Sequence, residues 1–196
     1  MSATSAAERG SVDLYWVPLG AGTAVPLVRW SGRLYEALAA RRERRHPQPI
    51  FHAALEVQVA GTRYTIEMAP AWGPTHGGAG VAGVGPVGIR RLGRSRFFRY
   101  EVRRWEDGVI PDLAEAVGGA STVCADVPGA RRVLDAVDDF PTATWGRDEL
   151  GTGDMWNSNS LVAFVLVRAG VDVGQLTPPD DGRAPGWTAG VVVASR

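Results

Sequence analysis

Ile50 to Met68 reads I-F-H-A-A-L-E-V-Q-V-A-G-T-R-Y-T-I-E-M. Phe51, Ala53, Leu55, Val57 and Val59 alternate with His52, Ala54, Glu56 and Gln58, the period of two that half-buries a strand. Tyr64, Ile66 and Met68 alternate in the same way with Arg63, Thr65 and Glu67. If Ala60-Gly61 is a two-residue turn, Val57 faces Tyr64, Leu55 faces Ile66 and Ala53 faces Met68. The apolar faces then coincide, which sets the register. His52 and Glu67 share the other, polar face.

On the N-terminal side of this hairpin, Val12 to Pro18 reads as an early edge strand followed by a Gly20-Ala21-Gly22 turn. Ser31 to Arg45 reads as a helix capped by Ser31, with Leu34, Tyr35 and Leu38 on its apolar face and Pro47 beyond its end. On the C-terminal side, residues 73–93 hold eight glycines and two prolines, a loop or flap around a short strand at Val87 to Arg91. A strand is expected over Phe97 to Trp105, and short helices over Pro111 to Val117 and Val127 to Asp139, the latter capped by Asp126. An apolar helix should run from Ser158 to Ala169 and end at Gly170, and Gly190 to Ala194 reads as a last strand. Together these predict one α+β domain over residues 1–196: an antiparallel sheet packed against helices.

The 196 residues are 45% hydrophobic and 21% charged, ordinary values for a folded domain, so wholesale disorder is excluded. Apolar runs fall short of a membrane span, and the first ten residues lack the basic and apolar regions of a signal peptide, so a cytoplasmic protein is expected. One cysteine, Cys124, precludes an intrachain disulfide and reads as a small buried hydrophobe. The spacing of His46, His52 and His76 matches no zinc pattern, and neither metal nor cofactor is expected. Gly83 to Gly88 spells G-x-G-x-x-G, but without a helix opening on its glycines, so nucleotide binding is not expected.

The basic residues are all arginine, and seven of them (Arg90, Arg91, Arg94, Arg96, Arg99, Arg103 and Arg104) fall among Phe97, Phe98, Tyr100 and Trp105. Such a face can meet phosphates and bases. The acidic stretch after residue 105 offers the alternative of internal pairing, which makes nucleic acid a disfavoured partner. Trp72, Trp105, Trp145 and Trp156 read as core or cleft walls.

Chemistry concentrates at Trp156-Asn-Ser-Asn-Ser-Leu-Val-Ala-Phe164. Asn157 and Asn159, the only asparagines in the chain, bracket Ser158 where a helix begins. A helix start presents free N–H groups and partial positive charge, which would stabilise an anion developing there. Asn157 is equally a plain N-cap. His52 is the candidate base, with Glu67 diagonally across the hairpin as the carboxylate that would orient it. A cross-strand surface pair is the alternative.

The F-H-A-A-L-E-V motif at Phe51 to Val57, Y-T-I-E-M at Tyr64 to Met68 and W-N-S-N-S-L-V-A-F downstream resemble the circularly permuted papain-like hydrolases, which include permuted NlpC/P60 proteins and lecithin:retinol acyltransferase relatives. The resemblance implies a papain-like sheet, His52 as base, Glu67 at the polar third position and Ser158 where the family has its cysteine, with Leu161 where the motif has Phe. Asn157, Asn159 and Trp156 would support the cleft or its oxyanion site. The implied activity is hydrolysis or acyl transfer at an amide, ester or thioester of an acyl or peptide-like substrate. A serine in the thiol's place depends wholly on its base. The alternative is an inactive member that binds an anionic partner through the cleft or the Arg90–Arg104 face.

Overall fold

The computed structural model describes residues 9–21, 36–72, 80–110 and 112–196. Among the described residues, six strands, β1 (Gly10–Pro18), β2 (Phe51–Val59), β3 (Thr62–Pro70), β4 (Gly80–Pro86), β5 (Arg99–Glu106) and β6 (Val117–Cys124), form one antiparallel sheet in the order β4-β5-β3-β2-β1-β6. Four helices among the described residues accompany it: α1 (residues 36–43), α2 (Val127–Ala136), α3 (Ser158–Arg168) and α4 (Trp187–Ala194). The architecture is α+β.

The hairpin folds as its pattern requires. Ala60 and Gly61 both have positive φ, 52° and 87°, the turn whose twist suits two antiparallel strands. Leu55 faces Ile66 and Val57 faces Tyr64. The third expected pair does not form, because the β2–β3 ladder stops at Leu55 and Ile66. Beyond that point β2 stays with β1 as far as Phe51, and β3 stays with β5 as far as Pro70. The sheet therefore forks between β2 and β3.

The start of α3 fills the fork. Backbone groups of β2 facing the gap still need partners: Phe51 N donates to Arg183 O at 2.8 Å, Ala53 N donates to Asn159 Oδ1 at 2.7 Å, and Phe51 O accepts from Asn159 Nδ2 at 3.2 Å. Eight residues of α3 are buried, so it is a central helix with no solvent stripe. Each fully buried Leu, Val or Phe on it contributes about 1.5–3 kcal/mol. α2 presents Val133 and Leu134 to the same core, under the face of the sheet that carries Leu14, Leu55 and Val57.

Part of the second face of the sheet, over Thr65 and His52, is covered by the chain after β5. Asp107 N donates to Arg63 O at 2.9 Å, and Thr65 Oγ1 donates to Gly108 O at 2.9 Å. Gly108 has no room for a side chain: a Cβ there would lie 2.6 Å from Trp105 Nε1 and 2.7 Å from Thr65 Cβ. That close crossing carries the loop back over Thr65 and toward β2.

Several expectations are corrected. Gly190–Ala194 is not a strand but part of α4: a Gly190 Cβ would sit 2.2 Å from Ser160 O, so the bare glycine lets the two helices touch, and packing overrides the β-propensity of three valines. The strand of the glycine-rich stretch is Gly80–Pro86, not Val87–Arg91, because Gly85 leaves the space that the Tyr100 ring occupies. Leu113–Glu115 is one 3₁₀ turn instead of a helix, and Val117 opens β6. This puts β1 inside the sheet, not at its edge. Leu38 is exposed while Glu36 is buried against Arg45, so α1 turns a different face inward. Ser31, Leu34, Tyr35, Gly22, Pro111 and the flap's residues 73–79, with His76, lie outside the described residues. The caps at Asp126 and Asn157 and the stop at Gly170 are as expected.

Candidate active site

The fork encloses a cavity of about 140 Å³. His52, Ala53 and Ala54 form its β2 wall, and Ile66, Glu67 and Met68 its β3 wall. Ser158, Leu161 and Val162 of α3 close one end, and Ile110 and Asp112 of the covering loop close another. The structure thus gathers His52, Glu67 and Ser158, which lie far apart in sequence, around one space.

His52 Nε2 lies 2.8 Å from Asp112 Oδ2. The two side chains are 22% and 17% exposed, so water screens the pair only in part. Burial pushes the Asp112 carboxyl up, but the hydrogen bond and the charge of His52 outweigh it and hold the group below its ordinary value. Asp112 is therefore ionised at neutral pH and can only accept, which assigns the Nε2 proton to His52 and leaves Nδ1 of the neutral ring as the basic nitrogen.

Asp112 occupies the place that the sequence reading gave to Glu67. Glu67 instead pairs with Arg103, directly opposite on β5, at 3.5 Å. Arg103 is 3% exposed and also holds Glu101 at 2.9 Å. The strands alone bring Glu67 to the cavity wall, whereas only the loop anchored by Gly108 brings Asp112. No local pattern singles out Asp112; a carboxylate on the loop that follows a core strand was the one available signal.

Ser158 is the first residue of α3 and half-buried. Asn157 caps the helix: its Oδ1 accepts from Asn159 N at 2.9 Å and Ser160 N at 3.3 Å, and Ser160 Oγ accepts from Asn157 N at 3.0 Å, completing a capping box. Asn157 Nδ2 and Asn159 Nδ2 both donate to Pro185 O at 2.8 Å. With Phe51 O as its second acceptor, the Asn159 amide is fully engaged. The two asparagines thus hold the helix start in place, and both N–H groups of the Asn159 amide are already spent on carbonyls and not free for an oxyanion. Among the described residues, no group hydrogen-bonds the Ser158 hydroxyl or its backbone N–H. Trp156 stacks on Phe140 at 4.6 Å and donates to Pro141 O at 3.1 Å; it supports α3 from the core and does not line the cavity.

The remaining candidates sit elsewhere. Cys124, half-buried at the end of β6, lies beside Asp126, not in the cavity. Trp105 is buried, whereas Trp72 is 55% exposed. Arg90 pairs with Glu149 at 2.5 Å and Arg104 with Asp138 at 3.5 Å, both within the acidic stretch; Arg103 pairs with Glu67 and Glu101 instead. His46 is exposed. Among the described residues, no cluster of three His, Cys, Asp or Glu side chains is arranged to hold a metal ion, and no helix is long and apolar enough to cross a membrane. Comparison with family models, with curated proteins and with solved structures gave no significant match.

Proposed function

We propose that this chain is a hydrolase or acyltransferase acting on an amide, ester or thioester, built on a permuted papain-like arrangement, with Ser158 as nucleophile, His52 as base and Asp112 as the carboxylate that positions it. The observation that carries the reading is the 2.8 Å contact between His52 Nε2 and Asp112 Oδ2 at the wall of a cavity that Ser158 also lines. A cytoplasmic setting belongs to the same reading.

In this scheme His52 Nδ1 takes the Ser158 proton as Oγ attacks the acyl carbon. Asp112 stabilises the imidazolium that results. The negative charge on the former carbonyl oxygen meets the Ser158 N–H and the positive end of α3. His52 then protonates the departing amine, alcohol or thiol. Water, or a second acceptor, repeats the sequence on the acyl-serine. A space of about 140 Å³ is only a few times the roughly 30 Å³ of one water, so it accommodates the reacting carbonyl and a short apolar group between Ala54, Ile66 and Val162, with the rest of the substrate outside.

Turnover of a panel of small p-nitrophenyl esters and thioesters tests this. Ser158→Ala should abolish activity, and His52→Ala and Asp112→Ala should each lower kcat by about 10²–10⁴-fold. The inactive reading, a cleft that binds without catalysis, draws on the serine hydroxyl having no hydrogen bond to His52. Absent or Ser158-independent turnover would favour it.

A further inference from the structure

Between Met68 and Tyr100 the chain carries five arginines and no acidic residue. The structure puts most of this stretch on one edge of the sheet. Among the described residues, β4 has a strand neighbour on one side only, and the turns that follow it, Arg90–Arg94 and Arg96–Phe98, bury no residue. Ile89, Leu92, Phe97 and Phe98 are 53%, 41%, 68% and 43% exposed. Exposed Trp72 joins them, because Ala71 N donates to Arg99 O at 2.9 Å.

This edge is held rigidly. Val87 N donates to Phe98 O at 2.8 Å and Gly88 N to Trp145 O at 2.9 Å, so the backbone is tied down while its apolar side chains point away from the core. Beside them lies a cavity of about 480 Å³ whose lining includes Arg90, Arg94 and Arg99. The Arg99 guanidinium is fixed by the carbonyls of Gly93 and Arg94. Glu149 neutralises Arg90, but Arg91, Arg94 and Arg96 are exposed, and their guanidinium groups bond to none of the described residues.

We propose that this edge docks on an anionic phospholipid surface, with Arg91, Arg94 and Arg96 meeting lipid phosphates and Ile89, Leu92 and Phe97 entering the acyl boundary. Two features favour lipid over a nucleic-acid strand. Ile89 and Leu92 gain nothing from base stacking, whereas the acyl region accepts aliphatic and aromatic side chains alike. Trp72 is the residue type that settles at the headgroup level. The lipid surface need play no part in the chemistry at His52 and Ser158, so the two readings stand or fall separately.

Co-sedimentation of the full chain with vesicles tests the proposal. The protein should pellet with phosphatidylcholine vesicles containing phosphatidylglycerol at about 150 mM salt, and not with phosphatidylcholine alone. Arg94→Gln with Arg96→Gln should weaken binding about fivefold per charge and flatten its salt dependence. Leu92→Ser with Phe97→Ser should remove the binding that survives at high salt. All four side chains are exposed, and circular dichroism checks that each variant folds. No pelleting with anionic vesicles, or pelleting unchanged in both double variants, would overturn the proposal. So would tighter binding to single-stranded RNA than to vesicles, or binding to inorganic phosphate without vesicle binding, which would mark the cavity as a small-anion site.

Discussion

Asn159 and Ala53 are joined as neighbouring strands would be: the side-chain Oδ1 accepts the Ala53 N–H at 2.7 Å, where β3 has turned away from β2. One side chain thus completes the sheet and fixes the helix start that carries Ser158. Asn159→Ala would leave the buried Ala53 N–H and Phe51 O without partners, at about 1–3 kcal/mol each. We expect a loss of about 2–4 kcal/mol in urea unfolding and a fall of about 5–15 °C in Tm. A loss under about 0.5 kcal/mol would mean that the fork is held by other contacts.

Asp112 links the site to pH. Its folded carboxyl titrates below the ordinary 3.8, so the pair with His52 adds stability at neutral pH that disappears as the solution is acidified through the folded value. In wild-type protein the unfolding free energy should therefore fall more steeply below about pH 4 than in Asp112→Asn. Parallel acid limbs in the two proteins would show that the pair contributes nothing to folding.

Gly190 sets the spacing of α3 and α4. A side chain there would press on Ser160 O and Ala163 Cβ, at 2.2 and 2.9 Å from the new Cβ. Gly190→Val should cost about 1–3 kcal/mol through overpacking, and any activity should suffer with it because Ser160 belongs to the capping box of α3. A variant as stable as wild type would place the contact between α3 and α4 elsewhere.

The hairpin and the cap of α3 were legible because their signals are local: alternation, the two-residue Ala60-Gly61 turn, and an asparagine, Asn157, just ahead of an apolar run. The fork was not, since alternation continues unbroken through Ala53 and Met68 and says nothing of where the ladder stops. Asp112 was invisible for a related reason. It reaches His52 across sixty residues by a loop whose path depends on Gly108 fitting against Trp105, a tertiary fact with no periodic trace. α4 was misread because Val191 to Val193 favour strands in isolation and only the Gly190 contact with α3 decides otherwise.

Electrostatics at the start of α3 can be read with a thiol. In a Cys124→Ala background, Ser158→Cys should give a thiol with a pKa about one unit or more below the usual 8.5, measured by iodoacetamide alkylation against pH. His52→Ala should return it toward that usual value. An unshifted thiol would indicate that the dipole and the imidazole do not act on this position.

The central claim is that Ser158 is a nucleophile activated by His52 and Asp112, and covalent labelling with a fluorophosphonate read by intact and peptide mass spectrometry tests it most directly. The account predicts one phosphonyl adduct per chain, with loss of fluoride, located on Ser158, absent in Ser158→Ala and slowed at least about a hundredfold in His52→Ala. No adduct, or an adduct on another residue formed equally fast without His52, would contradict it.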